Sequence, residues 1–214
     1  MALQELVNLG VENIITFDAH DQRVQNAIPH KSFENVMPTY QMIKAIVNNI
    51  DDLKVDKDHL MVISPDEGAM QRCIYFATQL GVNLGMFYKR RDFTKVVDGR
   101  NPIVEHQYLG DPINGKDIII VDDMISSGES MLEVAKKLKG LGANRIFVCT
   151  TFGLFANGLD VFDEAYKEGV FEKVFTTNGV YQTPELLSRE WYQSVDLSKY
   201  VCLLYTSPSP RDTR

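Results

Sequence analysis

The sequence lacks any surplus of positive charge: 22 Lys and Arg stand against 29 Asp and Glu in 214 residues, a formal net charge of −7. A chain this acidic has no overall pull toward nucleic acid or anionic lipid, so neither is expected as a partner. An anionic ligand would need a local basic cluster. Long apolar runs are missing as well: none approaches the roughly 20 residues of a membrane span, and no basic-then-apolar leader pattern opens the sequence. Cysteine is scarce. Cys73, Cys149 and Cys202 fit no zinc spacing, and their odd number argues against a disulfide framework. Cys73 and Cys149 sit in apolar runs, as small buried thiols do, so a reduced, cytoplasmic protein is expected. The G-x-x-x-x-G-K-[ST] phosphate motif is absent, and Gly140-Leu141-Gly142 follows a helix instead of a strand, the reverse of a dinucleotide fingerprint. With 44% hydrophobic and 24% charged residues, the composition excludes collagen-like, disordered and coiled-coil classes.

Both ends read as unlike a complete protein. Residues 2–9 look like the last turns of a helix, with Leu3, Leu6 and Val7 on one face, Gly10 as a stop and no N-cap. At the other end, the apolar run Tyr200–Tyr205 gives way to Ser207-Pro208-Ser209-Pro210-Arg211-Asp212-Thr213-Arg214. That tail reads either as a short disordered terminus or as a foreign extension.

Between the ends, strand-like and helix-like segments alternate. Strands are expected at 13–17, 60–64, 84–88, 117–121, 145–150 and 173–176, mostly short apolar runs without strict alternation, as in strands covered on both faces. Helices are expected at 38–49, 67–80, 128–141 and 159–168. This order implies right-handed crossovers and an α/β fold with a doubly wound parallel sheet. The stretch 92–110, with a Gly99-Arg100-Asn101-Pro102 turn, reads as an inserted hairpin or flexible loop.

Ligands of such sheets bind beyond the carboxyl ends of the strands, and four constellations fall there. In Val121-Asp122-Asp123-Met124-Ile125-Ser126-Ser127-Gly128-Glu129-Ser130, a hydrophobic strand leads into two exposed acids and then a loop of hydroxyls and glycine that opens a helix. Free N–H groups at a helix start suit a phosphate. The acids suit a ribose diol or a metal beside it. The bland alternative is a helix cap, since Ser126 and Glu129 have capping-box spacing. In Ser64-Pro65-Asp66-Glu67-Gly68-Ala69-Met70-Gln71-Arg72, Gly68 allows close backbone approach and Asp66 could ligate Mg²⁺ beside a pyrophosphate; equally, Asp66 could only cap a turn. Lys89-Arg90-Arg91-Asp92 is the local basic cluster an anion requires, or else a solvated surface run. Finally, His20 in Asp18-Ala19-His20 is either a metal or phosphate contact or simply an exposed loop side chain.

Together these motifs resemble the ribose-phosphate pyrophosphokinase family, over about residues 3–204, and their phosphate loop resembles that of the type I phosphoribosyltransferase fold. The resemblance implies transfer of a diphosphoryl group from ATP to the 1-hydroxyl of ribose 5-phosphate, giving 5-phosphoribosyl 1-pyrophosphate and AMP. It implies Lys89 and Arg91 as catalytic residues, with Arg91 on substrate phosphates. Asp122, Asp123, Ser126, Ser127, Gly128, Glu129 and Ser130 are implied as the ribose 5-phosphate site. His20 and Asp66 are implied as Mg²⁺-linked residues and, with Gly68, as contacts to ATP or pyrophosphate. Glu129 stands where the family has glycine and would have to point away, as a capping-box partner of Ser126. Ala69 replaces a second glycine, which would tighten that turn. The resemblance also implies residues 1–37 as the end of an N-terminal phosphoribosyltransferase-like domain, 38–204 as the C-terminal one, 205–214 as a non-native tail, and a homo-oligomer. Two other readings stay open: a non-catalytic regulatory relative, and a nucleobase phosphoribosyltransferase.

Overall fold

The computed structural model describes residues 2–91 and 103–206, with the backbone alone for 89–91, 103–106 and 205–206. The chain opens with α1 (Ala2–Asn8), β1 (Asn13–Phe17), β2 (Ser32–Val36) and α2 (Thr39–Asn49). The main unit follows as β3 (Leu60–Ser64), α3 (Met70–Leu80), β4 (Asn83–Arg91), β5 (Ile103–Leu109), β6 (Asp117–Ile125), α4 (Glu129–Gly140), β7 (Ile146–Gly153), α5 (Asp160–Lys167) and β8 (Lys173–Thr177). It closes with α6 (Pro184–Leu187), β9 (Tyr192–Val195) and α7 (Ser198–Thr206).

Seven strands form one sheet in the order β5-β4-β3-β6-β7-β8-β9, and every neighbouring pair is parallel except β4–β5. The period-two alternation of the strands divides the core between the two faces. Met61, Ile63, Ile118, Ile120, Ile146 and Val148 pack with Leu132, Ala135 and Phe162 of α4 and α5 on one face. Leu60, Val62, Ile119, Val121, Phe147 and Cys149 pack with Met42, Ile46, Cys73 and Phe76 of α2 and α3 on the other. Because both faces are covered, these strands read in sequence as unbroken apolar runs, and the doubly wound expectation holds.

From β3 the chain crosses by α3 to β4 on one side; from β6 it crosses by α4 to β7 on the other, over the opposite face. The adjacent pair β3–β6 is therefore the point where winding reverses, and the carboxyl ends of these two strands open a crevice.

Several boundaries differ from the sequence reading. The strand at 13–17 does not enter the main sheet; it pairs in parallel with Ser32–Val36 as a separate two-stranded sheet. β2 and β9 were not anticipated, because both are short and half polar and carry no apolar run. β6 runs on to Ile125, since Asp122, Met124 and Ile125 still pair with β7. β4 likewise continues to Arg91 by pairing antiparallel with β5, so the backbone of Lys89, Arg90 and Arg91 lies within a strand and not in a loop after it. The expected hairpin is represented by the β4–β5 ladder; Asp92 and the turn Gly99–Pro102 lie outside the described residues, as does the tail 207–214.

α4 starts at Glu129, with Gly128 as its N-cap at φ +87° and no side-chain cap. The capping box of Ser126 and Glu129 is therefore not formed, because the left-handed glycine takes the cap position and leaves Ser126 two residues short of it. A Cβ at Gly128 would lie 2.3 Å from the ring of Phe162, whereas one at Gly81, the left-handed C-cap of α3, would meet nothing within 4 Å. Gly81→Ala should cost about 1 kcal/mol for its dihedral alone, and Gly128→Ala about 1–3 kcal/mol more for the collision with Phe162. Urea midpoints test this; equal losses at the two glycines would show that the ring moves aside without cost.

Candidate active site

The crevice at the ends of β3 and β6 is a cleft of about 390 Å³. Its lining includes His20, Asp66, Gly68, Asp122, Asp123, Ser126, Ser127, Gly128 and Ser130. Two of the four constellations, together with His20, thus reach one place from segments far apart in sequence. Glu129 is exposed and is not among the cleft residues. Lys89 and Arg91 lie on β4, on the far side of β3 from β6, and their side chains are outside what the structure describes.

The hub of the cleft is a residue the sequence reading gave no role. On α3, Ala69, Arg72, Cys73, Phe76 and Ala77 are all buried, an i, i+3, i+4, i+7, i+8 core stripe with one arginine in it. Arg72 is 7% exposed, and its guanidinium faces three carboxylates. Nε and Nη2 donate to Asp18 Oδ1, each at 3.2 Å. Nη1 donates to Asp122 Oδ1 at 3.4 Å, and Nη2 stands 3.8 Å from Asp123 Oδ2. Asp18 is itself buried at φ +41° just past β1, and its other oxygen accepts a 2.6 Å bond from Thr151 Oγ1 on β7. A cation on an otherwise apolar helix face was the sequence signal that could have found this cluster, because a buried arginine requires carboxylate partners.

The acids are not exposed as the sequence suggested. Asp123 is 2% exposed; its Oδ1 accepts the Met124 N–H at 2.9 Å and its Oδ2 lies 2.5 Å from His20 Nδ1. Asp122 Oδ1 also accepts the Asp123 N–H, at 2.8 Å. Their placement within β6, short of its end, explains the burial. Loss of hydration pushes the Asp122 carboxyl up toward neutrality, to about 7, and raises that of Asp18 in spite of Arg72 and Thr151. The hydrogen bond to Asp123 raises the pKa of His20.

The Asp66 side chain folds back on its own turn: Oδ1 accepts from the N–H groups of Gly68 at 3.0 Å and Ala69 at 3.3 Å. Ala69 occupies an ordinary helical conformation at φ −82°, so it fits in place of glycine without strain. Among the described residues no three His, Cys, Asp or Glu side chains converge into a metal cage. Asp66 and His20 both line the cleft; a carboxylate there would fit an Mg²⁺ that keeps most of its waters and takes phosphate oxygens. In the same cleft, α4 begins without a side-chain cap, so the backbone donors of its first turn stand beside Ser126, Ser127 and Ser130.

Because the folded Asp122 carboxyl binds its proton more tightly than the unfolded one, its ionisation costs stability progressively as pH rises from the ordinary carboxylate range to about 7. Asp122→Asn should therefore raise the melting temperature by an amount that grows between about pH 4 and 7 and then levels off. A gain independent of pH would contradict burial as the cause.

Known proteins resemble this chain in sequence and in fold. Ribose-phosphate pyrophosphokinase of Pyrococcus abyssi is 32% identical over 157 residues, covering 73% of this chain and 50% of the relative. That of Mycoplasma pneumoniae is 31% identical over 180 residues, covering 83% and 51%. The chain thus spans about half the length of the curated relatives it matches. Phosphoribosylpyrophosphate synthetase of Mycobacterium smegmatis shares the fold with a TM-score of 0.75 at 20% identity, over 96% of this chain and 62% of that one. Residues 30–189 match the model of the phosphoribosyl transferase domain, and the chain belongs to that family.

Proposed function

We propose that this chain is the ribose-phosphate half of a ribose-phosphate pyrophosphokinase, which moves the diphosphoryl group of ATP to the 1-hydroxyl of ribose 5-phosphate and releases AMP. The observation that carries the reading is one cleft in which an acid pair on β6 is followed directly by an uncapped, serine-rich helix start. That sequence of groups matches the two ends of a sugar phosphate. The 5-phosphate would rest on the backbone and hydroxyl donors of Ser126, Ser127, Gly128 and Ser130, where dipole and hydrogen bonds both favour an anion. Asp122 would accept from the ribose hydroxyls, with Asp123 behind it.

Diphosphoryl transfer demands positioning and positive charge on the developing oxygens. Lys89 and Arg91 supply that charge in this reading. Asp66 and His20 would hold Mg²⁺, which neutralises phosphate charge when bound. Gly68 leaves room for a pyrophosphate above the α3 turn. Longer relatives, bearing the pyrophosphokinase name, support the same reaction. We further propose that residues 1–37 belong with a preceding domain that completes the ATP site, that 38–204 form the second domain, that 205–214 are non-native, and that the whole protein is a homo-oligomer. No described helix is long and apolar enough to cross a membrane. Cys73 and Cys149 are buried thiols, which fits a cytoplasmic location.

The test is AMP release from ATP with ribose 5-phosphate and Mg²⁺ by the whole protein that contains this chain; no release would end the proposal. In that protein Lys89→Ala should lower kcat on the order of 100-fold or more while leaving KM for ribose 5-phosphate within a few-fold, because its contact forms in the transition state. A matching loss of ground-state binding would remove Lys89 from that role.

A further inference from the structure

We propose that Arg72 is a positioning residue: its guanidinium fork fixes the spacing and direction of Asp122 and Asp123, so that the pair presents acceptors to the hydroxyls of a sugar phosphate whose phosphate is held elsewhere. The inference rests on the proposed ribose-phosphate reading and adds the residue that makes the acid pair usable.

Asp122 and Asp123 are adjacent on β6; Asp123 is buried and the Asp122 side chain is 23% exposed. Left alone, two neighbouring carboxylates with little hydration would repel, and one would turn away or take up a proton. Arg72 opposes this from the face of α3. Its three nitrogens reach Asp18, Asp122 and Asp123 together, and the rigid planar fork holds those acceptors at a fixed spacing that a compact ammonium on a flexible stem would not. The fork is in turn held from behind. Asp18 takes two of its bonds and is pinned by Thr151 from β7. Cys73 and Phe76 lock the helix against the sheet. Asp123 then passes the constraint on to His20. The acceptor geometry of the acid pair is thus set by a residue on another helix. The loop of Ser126, Ser127, Gly128 and Ser130 receives no bond from Arg72 among those the structure describes.

Titration calorimetry on this chain, with ribose 5-phosphate and separately with inorganic phosphate, tests the assignment. Arg72→Met should weaken ribose 5-phosphate binding at least about tenfold, as loss of an orienting partner generally does. Inorganic phosphate, which needs only the serine loop, should change by less than roughly twofold. Arg72→Lys keeps the charge without the fork and should fall between the two. If Arg72→Met does not fold by circular dichroism, Arg72→Lys decides alone: unchanged ribose 5-phosphate affinity overturns the inference. Parallel loss of both ligands also overturns it, because that marks a direct anion contact or general damage. An unaltered chain that binds phosphate but not ribose 5-phosphate defeats the proposed function itself, and this inference with it. Ribose 5-phosphate binding that is normal in the unaltered chain and in both variants defeats only the inference.

Discussion

The candidate site depends on one buried guanidinium. Arg72 is taken out of water by the same helix stripe that seals the α3 face of the sheet, and three carboxylates from two other segments meet it there. Burying an ion in this way is costly unless its partners are well placed, and breaking one partner leaves a bare charge behind. The contacts therefore act as a joint. They tie the segment after β1, the start of α3 and the end of β6 to one another, and through Thr151 to β7.

That joint sits where the topology already leaves a gap. Winding reverses between β3 and β6, so α3 and α4 leave toward opposite faces and no crossover roofs the ends of these two strands. The apolar alternation of the strands supplies the rigidity below; the polar residues that follow it in sequence are lifted to the rim. Asp66 and Gly68 come up after one strand, and Asp122 to Gly128 with Ser130 from its neighbour. Precision at the rim is inherited from packing in the interior, where Ile63, Ile120 and Val148 are wholly enclosed.

Much of this could be read from the chain alone. Runs such as Leu60–Ser64 and Ile118–Val121 announce buried parallel strands, because covered strands need no polar face. Motifs written directly after such runs fall at the carboxyl edge, which is why Asp66 and the Asp122–Ser130 segment are legible in the sequence, whereas His20 follows a strand of the separate two-stranded sheet and reaches the cleft through tertiary packing. What escaped the reading was governed by tertiary partners. β2 and β9 are half polar and are strands because a neighbour pairs with them. The burial of Asp123 and the half-burial of Asp122 follow from β7 extending their strand beyond Val121. Gly128 displaced the capping box through a backbone angle that spacing does not reveal. Arg72 was visible as a letter in a quoted motif, yet its meaning required the apolar stripe on which it stands to be laid out as a helix.

The β6 end of the cleft gathers carboxylate oxygens around Arg72 and His20, while the α4 end offers hydroxyls and backbone amides. The two ends differ in hydrogen-bonding character, acceptors at one and donors at the other, so a ligand with one anionic end and one neutral, hydroxyl-rich end meets a cleft with a direction. Laid one way, its phosphate lies along the helix dipole and its hydroxyls face acceptors. Reversed, it sets a dianion against Asp122 and Asp123 and leaves donors facing donors.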